Sequence, residues 1–236
     1  MDSLVFFSSN SPLQEVIIPE ISHAGLQLFI KRDDLLHPGI SGNKWRKLKY
    51  NIIDFKTSDL DGILTLGGAY SNHLHAVAVA GKHFGFHTVG IVRGEKPEHL
   101  SSTLLACNEL GMKLFYVPRI EYRKKLQSKS INDLVQNHPN LLYIPEGGEN
   151  DAAKKGCEEI LKDLEIKADY VCLACGTGTT LSGILNTEKL KTKILGFPAL
   201  KGAEKSIINN ILLARNFRPD FQIASIFKKN NAVETF

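Results

Sequence analysis

The chain has 236 residues, of which 43% are hydrophobic and 23% charged, and carries a net charge of +4. That length exceeds a typical single domain, falls short of two comfortable ones, and suffices for a substantial core. Basic and acidic residues are interleaved, so no charge block marks a nucleic-acid arm, and no stretch approaches the roughly eighteen apolar residues that cross a bilayer. The start, MDSLVFFSSNSPLQEV, has no basic region ahead of its short apolar run and does not read as a signal peptide, which makes the cytoplasm the default location.

In chain order, a strand is expected at Leu26–Lys31, followed by a helix in which Trp45, Leu48, Ile52 and Phe55 share one face. The strand Gly62–Leu66 precedes a helix from His73 to Phe84, small and apolar on one side and so expected to sit deep. Then come strand Thr88–Val92, helix Ser101–Leu110, strand Leu114–Val117, helix Glu121–Gln136 and strand Leu141–Ile144. Helix Asp151–Leu164, strands Tyr170–Ala174 and Lys193–Phe197, and helix Ala203–Ala214 complete the set. The strands are rich in Val, Ile, Leu and Phe, as parallel strands buried on both faces are. Their alternation with helices predicts a parallel α/β sheet with right-handed crossovers.

The cysteines are Cys107, Cys157, Cys172 and Cys175, the last two forming a C-x-x-C. That pair lies in the apolar run YVCLACGTGTT rather than at a helix start, and no second pair follows. Positions in and just after a buried strand explain it better than a redox or metal site, and no metal is expected. Reduced thiols fit the cytoplasm.

Three loops open helices, two of them directly after expected strands, where ligands bind in open α/β sheets. Gly176-Thr177-Gly178-Thr179-Thr180 offers backbone N–H groups and hydroxyls to an anion, phosphate being the natural guest; it also reads simply as a tight turn with threonine caps. It is neither a Walker loop, lacking Gly-Lys-Ser/Thr, nor the dinucleotide fingerprint, because Leu181 stands where the third glycine belongs. In Gly67-Gly68-Ala69-Tyr70-Ser71-Asn72-His73, Ser71 and Asn72 are good helix caps that can equally contact a substrate carboxylate or a cofactor hydroxyl. In Ser41-Gly42-Asn43-Lys44-Trp45-Arg46-Lys47, the basic cluster Lys44, Arg46, Lys47 and Lys49 ordinarily marks a solvated helix face. Yet a lysine in the first turn of a helix sits near the positive end of the dipole, which favours the neutral amine that forms a Schiff base.

Taken together, I-K-R-D-D-L (Ile30–Leu35), G-N-K-W-R-K-L (Gly42–Leu48), G-G-A-Y-S-N-H (Gly67–His73), P-E-G-G (Pro145–Gly148) and C-G-T-G-T-T (Cys175–Thr180) resemble the pyridoxal-phosphate enzymes of the tryptophan-synthase-β fold. Within these the chain is similar to the 1-aminocyclopropane-1-carboxylate deaminase and D-cysteine desulfhydrase family, from about Asp2 to about Asn216, with the motifs in order. The resemblance implies two three-layer α/β/α units with mainly parallel sheets. A larger cofactor unit would comprise residues 1–46 and 143–236, a smaller one residues 47–142, with the site in the cleft between them. It implies pyridoxal 5'-phosphate as cofactor, a small amino acid as substrate, a 2-oxo acid and ammonia as products, and a homodimer. Lys44 would hold the cofactor and move the substrate proton, and Asn72 would bond the cofactor ring hydroxyl. Ser71 would hold the substrate carboxylate and take part in proton transfer. Gly176, Thr177, Gly178, Thr179 and Thr180 would cradle the phosphate, Lys47 would add positive charge, and Tyr70 and His73 would line the substrate side.

The chain departs from the family in two places. Ring-opening deaminases carry Ser-Asn-Gln where this chain has Ser71-Asn72-His73, which leans toward the desulfhydrase side. The family also continues past the segment near Phe217 with elements that supply the group facing the pyridine nitrogen and an aromatic residue at the substrate. FRPDFQIASIFKKNNAVETF does not match that region, which keeps open a second reading, a non-catalytic cofactor-binding relic. A third, a nucleotide-binding domain on the Gly176–Thr180 loop, is weakened by the missing Walker lysine and third glycine.

Overall fold

The computed structural model of the protein describes residues 10–162, 164, 166–187, 192–199, 201–212 and 221–223. Four parallel strands form the first sheet: β3 (Gly62–Gly67), β4 (His87–Arg93), β5 (Lys113–Val117) and β6 (Leu141–Ile144), in the order β5-β4-β3-β6. Gly62 lies opposite both His87 and Leu141, so β3 is central, and every residue of it is buried. The second sheet is also parallel, with β7 (Tyr170–Cys175), β8 (Lys193–Pro198) and β9 (Phe221–Ile223) in chain order. Strand order reverses around β3, and the loops after β3 and β6 open there, the place where a doubly wound sheet leaves room for a ligand.

The expected strand at Leu26–Lys31 forms as β2 (Leu28–Lys31) but belongs to neither parallel sheet. It pairs antiparallel with β1 (Leu13–Val16), an element the sequence pattern did not signal, across α1 (Pro19–His23). Its side chains are half-buried or exposed, because a two-stranded ribbon cannot be covered on both faces. β7 departs from two-face burial as well: Tyr170, Cys172 and Ala174 are exposed, while Cys175 is buried. Residues three apart on a strand point to opposite faces, so Cys172 and Cys175 diverge, and both are free thiols.

Helix α2 (Asn43–Lys56) follows the loop after the ribbon, and α3 (Asn72–Phe84) follows β3. Trp45, Leu48, Ile52 and Phe55 are buried as the spacing predicts, and so is the apolar side of α3. Then come α4 (Ser102–Glu109), α5 (Arg119–Arg123), α6 (Lys129–Gln136), α7 (Asp151–Glu158), α8 (Thr179–Leu185) and α9 (Glu204–Leu212). The continuous helix expected over Glu121–Gln136 is broken instead. Lys125 adopts φ 52°, a 3-10 turn occupies Lys125–Gln127, and Ser128 starts α6 anew by accepting from the Ile131 N–H. The helix expected at Asp151–Leu164 ends as α7 with a 3-10 turn at Glu159–Leu161. The last two positions of the helix expected at Ala203–Ala214, and all of the C-terminal segment from Phe217 except Phe221–Ile223, lie outside the described residues, as do residues 1–9. Among the described residues no helix is long and apolar enough to cross a membrane.

The basic cluster on α2 is not a solvated face. Arg46, Lys47 and Lys49 are 0%, 3% and 8% exposed, because α2 is packed against α7 and lies over the site-forming loops. Two of these cations are matched by carboxylates: Arg46 pairs with Asp33 at 2.8 Å and Lys49 with Glu159 at 2.6 Å. The α2–α7 contact is close enough that a Cβ on Gly156 would run into the carbonyl oxygen of Arg46. Gly156→Ala is therefore expected to destabilise the chain by about 3 kcal/mol, the upper end of ordinary overpacking, read as a lower urea midpoint at unchanged slope. A midpoint within error of the parent chain would show that the two helices yield there.

Candidate active site

Helix α2 begins at Asn43 after Gly42, whose φ of 61° suits a residue without a Cβ. The chain thereby enters the helix with Lys44 in the first turn and Lys47 one turn on. Asn43 Nδ2 donates to Thr180 Oγ1 at 2.9 Å, tying the start of α2 to the start of α8. Lys44, Lys47, Cys175, Thr177, Gly178 and Thr180 line a common cavity of about 130 Å³. Gly178 takes φ 88°, and a Cβ on Gly176 would meet nothing within 4 Å, so at its two glycines the loop presents backbone to that space. Thr179 turns inward, 1% exposed, with its hydroxyl 2.9 Å from that of Thr177.

The turn Glu146–Gly148 closes the other side. Gly147 and Gly148 take φ 69° and 74°, and Gly147 abuts Thr177. The Gly147 carbonyl accepts from Lys47 Nζ at 3.1 Å and stands 3.5 Å from Lys44 Nζ. Two amines thus converge on one neutral oxygen. Burial, and then the neighbouring Lys47, push the Lys44 ammonium down to about 7. Burial also lowers Lys47, against the pull of Cys157, Glu149 and Cys175. The direction at Lys44 is the one expected of a first-turn lysine, but desolvation is its largest cause.

Helix α3 brings the third loop. Ser71 caps it, its Oγ accepting from the Leu74 N–H at 3.2 Å, which leaves the hydroxyl proton as a donor. A Cβ on Gly67 would collide with Ser71, so glycine is what lets this cap close. His73 is 2% exposed, and its tautomer follows from its neighbours. Thr65 Oγ1 donates to the Ile144 carbonyl at 2.8 Å, so at 3.0 Å from His73 Nε2 it can only accept, and Nε2 carries the proton. Nδ1 is a bare lone pair, buried and without a hydrogen-bond partner among the described residues. Burial first, then Lys44 and Lys47, hold His73 well below the usual histidine range, so it is neutral. Asn72 and Tyr70 are exposed, Tyr70 by 78%.

The structure therefore assembles Lys44, Lys47 and the Gly176–Thr180 loop around one space. Ser71, Asn72, Tyr70 and His73 gather on the neighbouring helix start and do not line that cavity. Sequence reasoning missed Asn43 and Cys175 as lining residues and the Gly147 carbonyl as an acceptor. Pro145-Glu146-Gly147-Gly148 stood out as a motif, but a backbone oxygen has no residue-type signature.

Residues 8–209 match the family described as pyridoxal-phosphate-dependent enzymes. A Pyrococcus horikoshii protein, provisionally named a 1-aminocyclopropane-1-carboxylate deaminase, is 31% identical over 181 residues, covering 74% of this chain and 54% of its own. The Arabidopsis thaliana mitochondrial bifunctional D-cysteine desulfhydrase/1-aminocyclopropane-1-carboxylate deaminase is 28% identical over 192 residues, covering 74% of this chain and 48% of its own. The chain thus spans about half the length of these curated relatives. The crystal structure of an ACC deaminase homologue superposes with a TM-score of 0.73 at 26% identity, covering 93% of this chain and 72% of that one.

An amine titrating at about 7 reacts with acylating reagents at a pH where exposed lysines, near 10.4, are almost wholly protonated. In the cofactor-free chain, acetic anhydride is expected to label Lys44 with a midpoint near pH 7, read by peptide mass spectrometry. Because folded Lys44 binds fewer protons than the unfolded chain above that value, stability should rise with pH from about 7 toward 10. A Lys44 midpoint at the ordinary lysine value would contradict the burial described above.

Proposed function

The chain belongs to the pyridoxal-phosphate-dependent enzymes, and on that premise we propose that it is a lyase or deaminase that converts a small amino acid, of the D-cysteine or 1-aminocyclopropane-1-carboxylate kind, to a 2-oxo acid and ammonia. The observation that carries this reading is the convergence of Lys44 and Lys47 on a cavity walled by Thr177, Gly178 and Thr180. The cavity suits the family's cofactor by its donor set: amines, hydroxyls and backbone N–H groups, with no carboxylate among the lining residues. When bound, pyridoxal phosphate supplies an electron sink for charge developing beside the substrate amine.

The residues divide the work by their physical state. Lys44, half-deprotonated near neutral pH, offers both the free amine that attaches the cofactor and a nitrogen that holds or returns a substrate proton. Lys47 cannot leave the cavity wall and stands as the charge opposite the phosphate, which Gly176, Thr177, Gly178, Thr179 and Thr180 cradle. Ser71, with its oxygen occupied by the Leu74 N–H, directs its hydroxyl proton to the substrate carboxylate and takes part in proton transfer. Asn72, at the exposed start of α3, reaches the cofactor ring hydroxyl, and Tyr70 closes from solvent over the substrate. His73 offers an acceptor rather than a donor on the substrate side, since its one N–H is committed to Thr65. Residues 47–142 form the smaller unit and residues 1–46 with 143–236 the larger, with the substrate between them.

Purified chain loaded with pyridoxal phosphate is expected to show the visible band of lysine-bound cofactor. It should release ammonia and sulfide with pyruvate from D-cysteine, or ammonia with 2-oxobutanoate from 1-aminocyclopropane-1-carboxylate. Lys44→Ala is expected to abolish the band and lower turnover at least a hundredfold or so. A band of normal strength in that variant means another lysine is used. A band without product from either substrate means the lyase reading is wrong and the protein binds its cofactor without this chemistry.

A further inference from the structure

Outside the cavity, Tyr122 and Lys125 meet Glu146. The Tyr122 hydroxyl donates to Glu146 Oε1 at 2.9 Å, and Lys125 Nζ pairs with Oε2. Tyr122 is 1% exposed, and burial raises its phenol well above the ordinary value, so it remains a donor. Lys125 is the residue at which the expected helix breaks. It is the non-glycine residue at positive φ among the described residues, in a conformation that a Cβ disfavours. The break places its amine over the Tyr122 ring, 4.6 Å from the centroid, and against Glu146.

Glu146 is the one residue with a side chain in the turn Glu146–Gly148. The two glycines that follow have no handle of their own, and the Gly148 N–H closes the turn on the Pro145 carbonyl at 2.9 Å. The direction of the Gly147 carbonyl therefore depends on how Glu146 is held on one side and on the abutting Thr177 on the other. That carbonyl is the acceptor facing both Lys44 and Lys47. The titratable groups around Lys44 are Lys47 on its own helix, His73 from α3 and Cys157 from α7, while Glu149 and Cys175 face Lys47. His73 is neutral, and burial raises the Cys157 thiol to about 11, so it is neutral too.

We propose that Glu146, anchored by Tyr122 and Lys125, is a positioning residue that holds the Gly147 carbonyl as the common acceptor of the two site lysines and so sets how readily Lys44 gives up its proton. Its functional meaning rests on Lys44 being the cofactor lysine. Loosening the anchor takes the acceptor from the Lys44 ammonium while leaving Lys47 beside it, so the neutral amine is favoured and titration moves to lower pH.

The test is the acetic anhydride midpoint of Lys44 in the full cofactor-free chain, compared among the parent, Glu146→Gln and the milder Tyr122→Phe, which removes one oxygen. The expected shift for Glu146→Gln is about half a unit to one unit downward, the equivalent of one net hydrogen bond. Tyr122→Phe should move in the same direction by less. A merely structural role would lower stability or raise labelling of all lysines together while leaving the Lys44 midpoint in place. Unmoved midpoints in folded Tyr122→Phe overturn the proposal even if Glu146→Gln does not fold. If the parent chain forms a band that Lys44→Ala loses, unmoved midpoints refute the positioning role alone. If that band never depended on Lys44, the cofactor reading fails, and the labelling midpoints still decide for or against the anchor.

Discussion

The organisation of this protein depends on one constraint: a helix whose cations are buried has to find a partner for each of them. Helix α2 enters the interior with Lys44, Arg46, Lys47 and Lys49 on it. A buried ammonium or guanidinium without a partner carries a heavy desolvation cost, and breaking one such pair costs about 3–5 kcal/mol. Asp33 in the 3-10 turn after the N-terminal ribbon takes Arg46, and Glu159 beyond α7 takes Lys49, with Tyr50 donating to the same carboxylate at 2.6 Å. These contacts reach in opposite directions along the chain and fasten the helix between them. Lys47, left with a backbone carbonyl instead of a carboxylate, is the exception, and it stands beside Lys44 in the cavity.

That exception gives the site its electrostatic character. The groups nearest Lys44 are a second ammonium, a neutral imidazole and a neutral thiol, and none of these is an anion that could stabilise its charge. An amine in such surroundings is shifted toward its neutral form, and the space in front of it suits a negatively charged guest. Stability and function oppose each other here: the uncompensated charge that costs the fold stability is what an anionic cofactor relieves. The neutral state of His73 belongs to the same arrangement. Its proton is committed to Thr65, and Thr65 in turn to the end of β6, so the imidazole is locked by the sheet it packs on.

Much of the scaffold was legible from residues alone. Runs of Val, Ile and Leu at 62–66, 88–92, 114–117, 141–144, 170–174 and 193–197 all became parallel strands, because continuous apolar runs have few other ways to be buried. The elements that escaped were short or conditional. β1 and β9 are four and three residues long and exist through pairing with β2 and β8. The break at Lys125 goes with a contact to Glu146 across the fold, against a local pattern that reads as continuous helix.

The sequence by itself determined the alternation of strand and helix, the family, and the identity of the loops that carry chemistry. Hydrophobic period, glycine position and motif order are local properties, written in neighbouring residues. Only the tertiary structure decided which of those residues share a space and in what state. A run of lysines and an arginine reads as a wet surface until packing puts α7 over it, and a histidine's proton is assigned by partners such as Thr65 and Ile144. The acceptor on which Lys44 and Lys47 converge is a backbone oxygen of a glycine, the same in every peptide unit, and its role comes from where the fold points it. Burial and carbonyl direction are long-range quantities, and no window of sequence contains them.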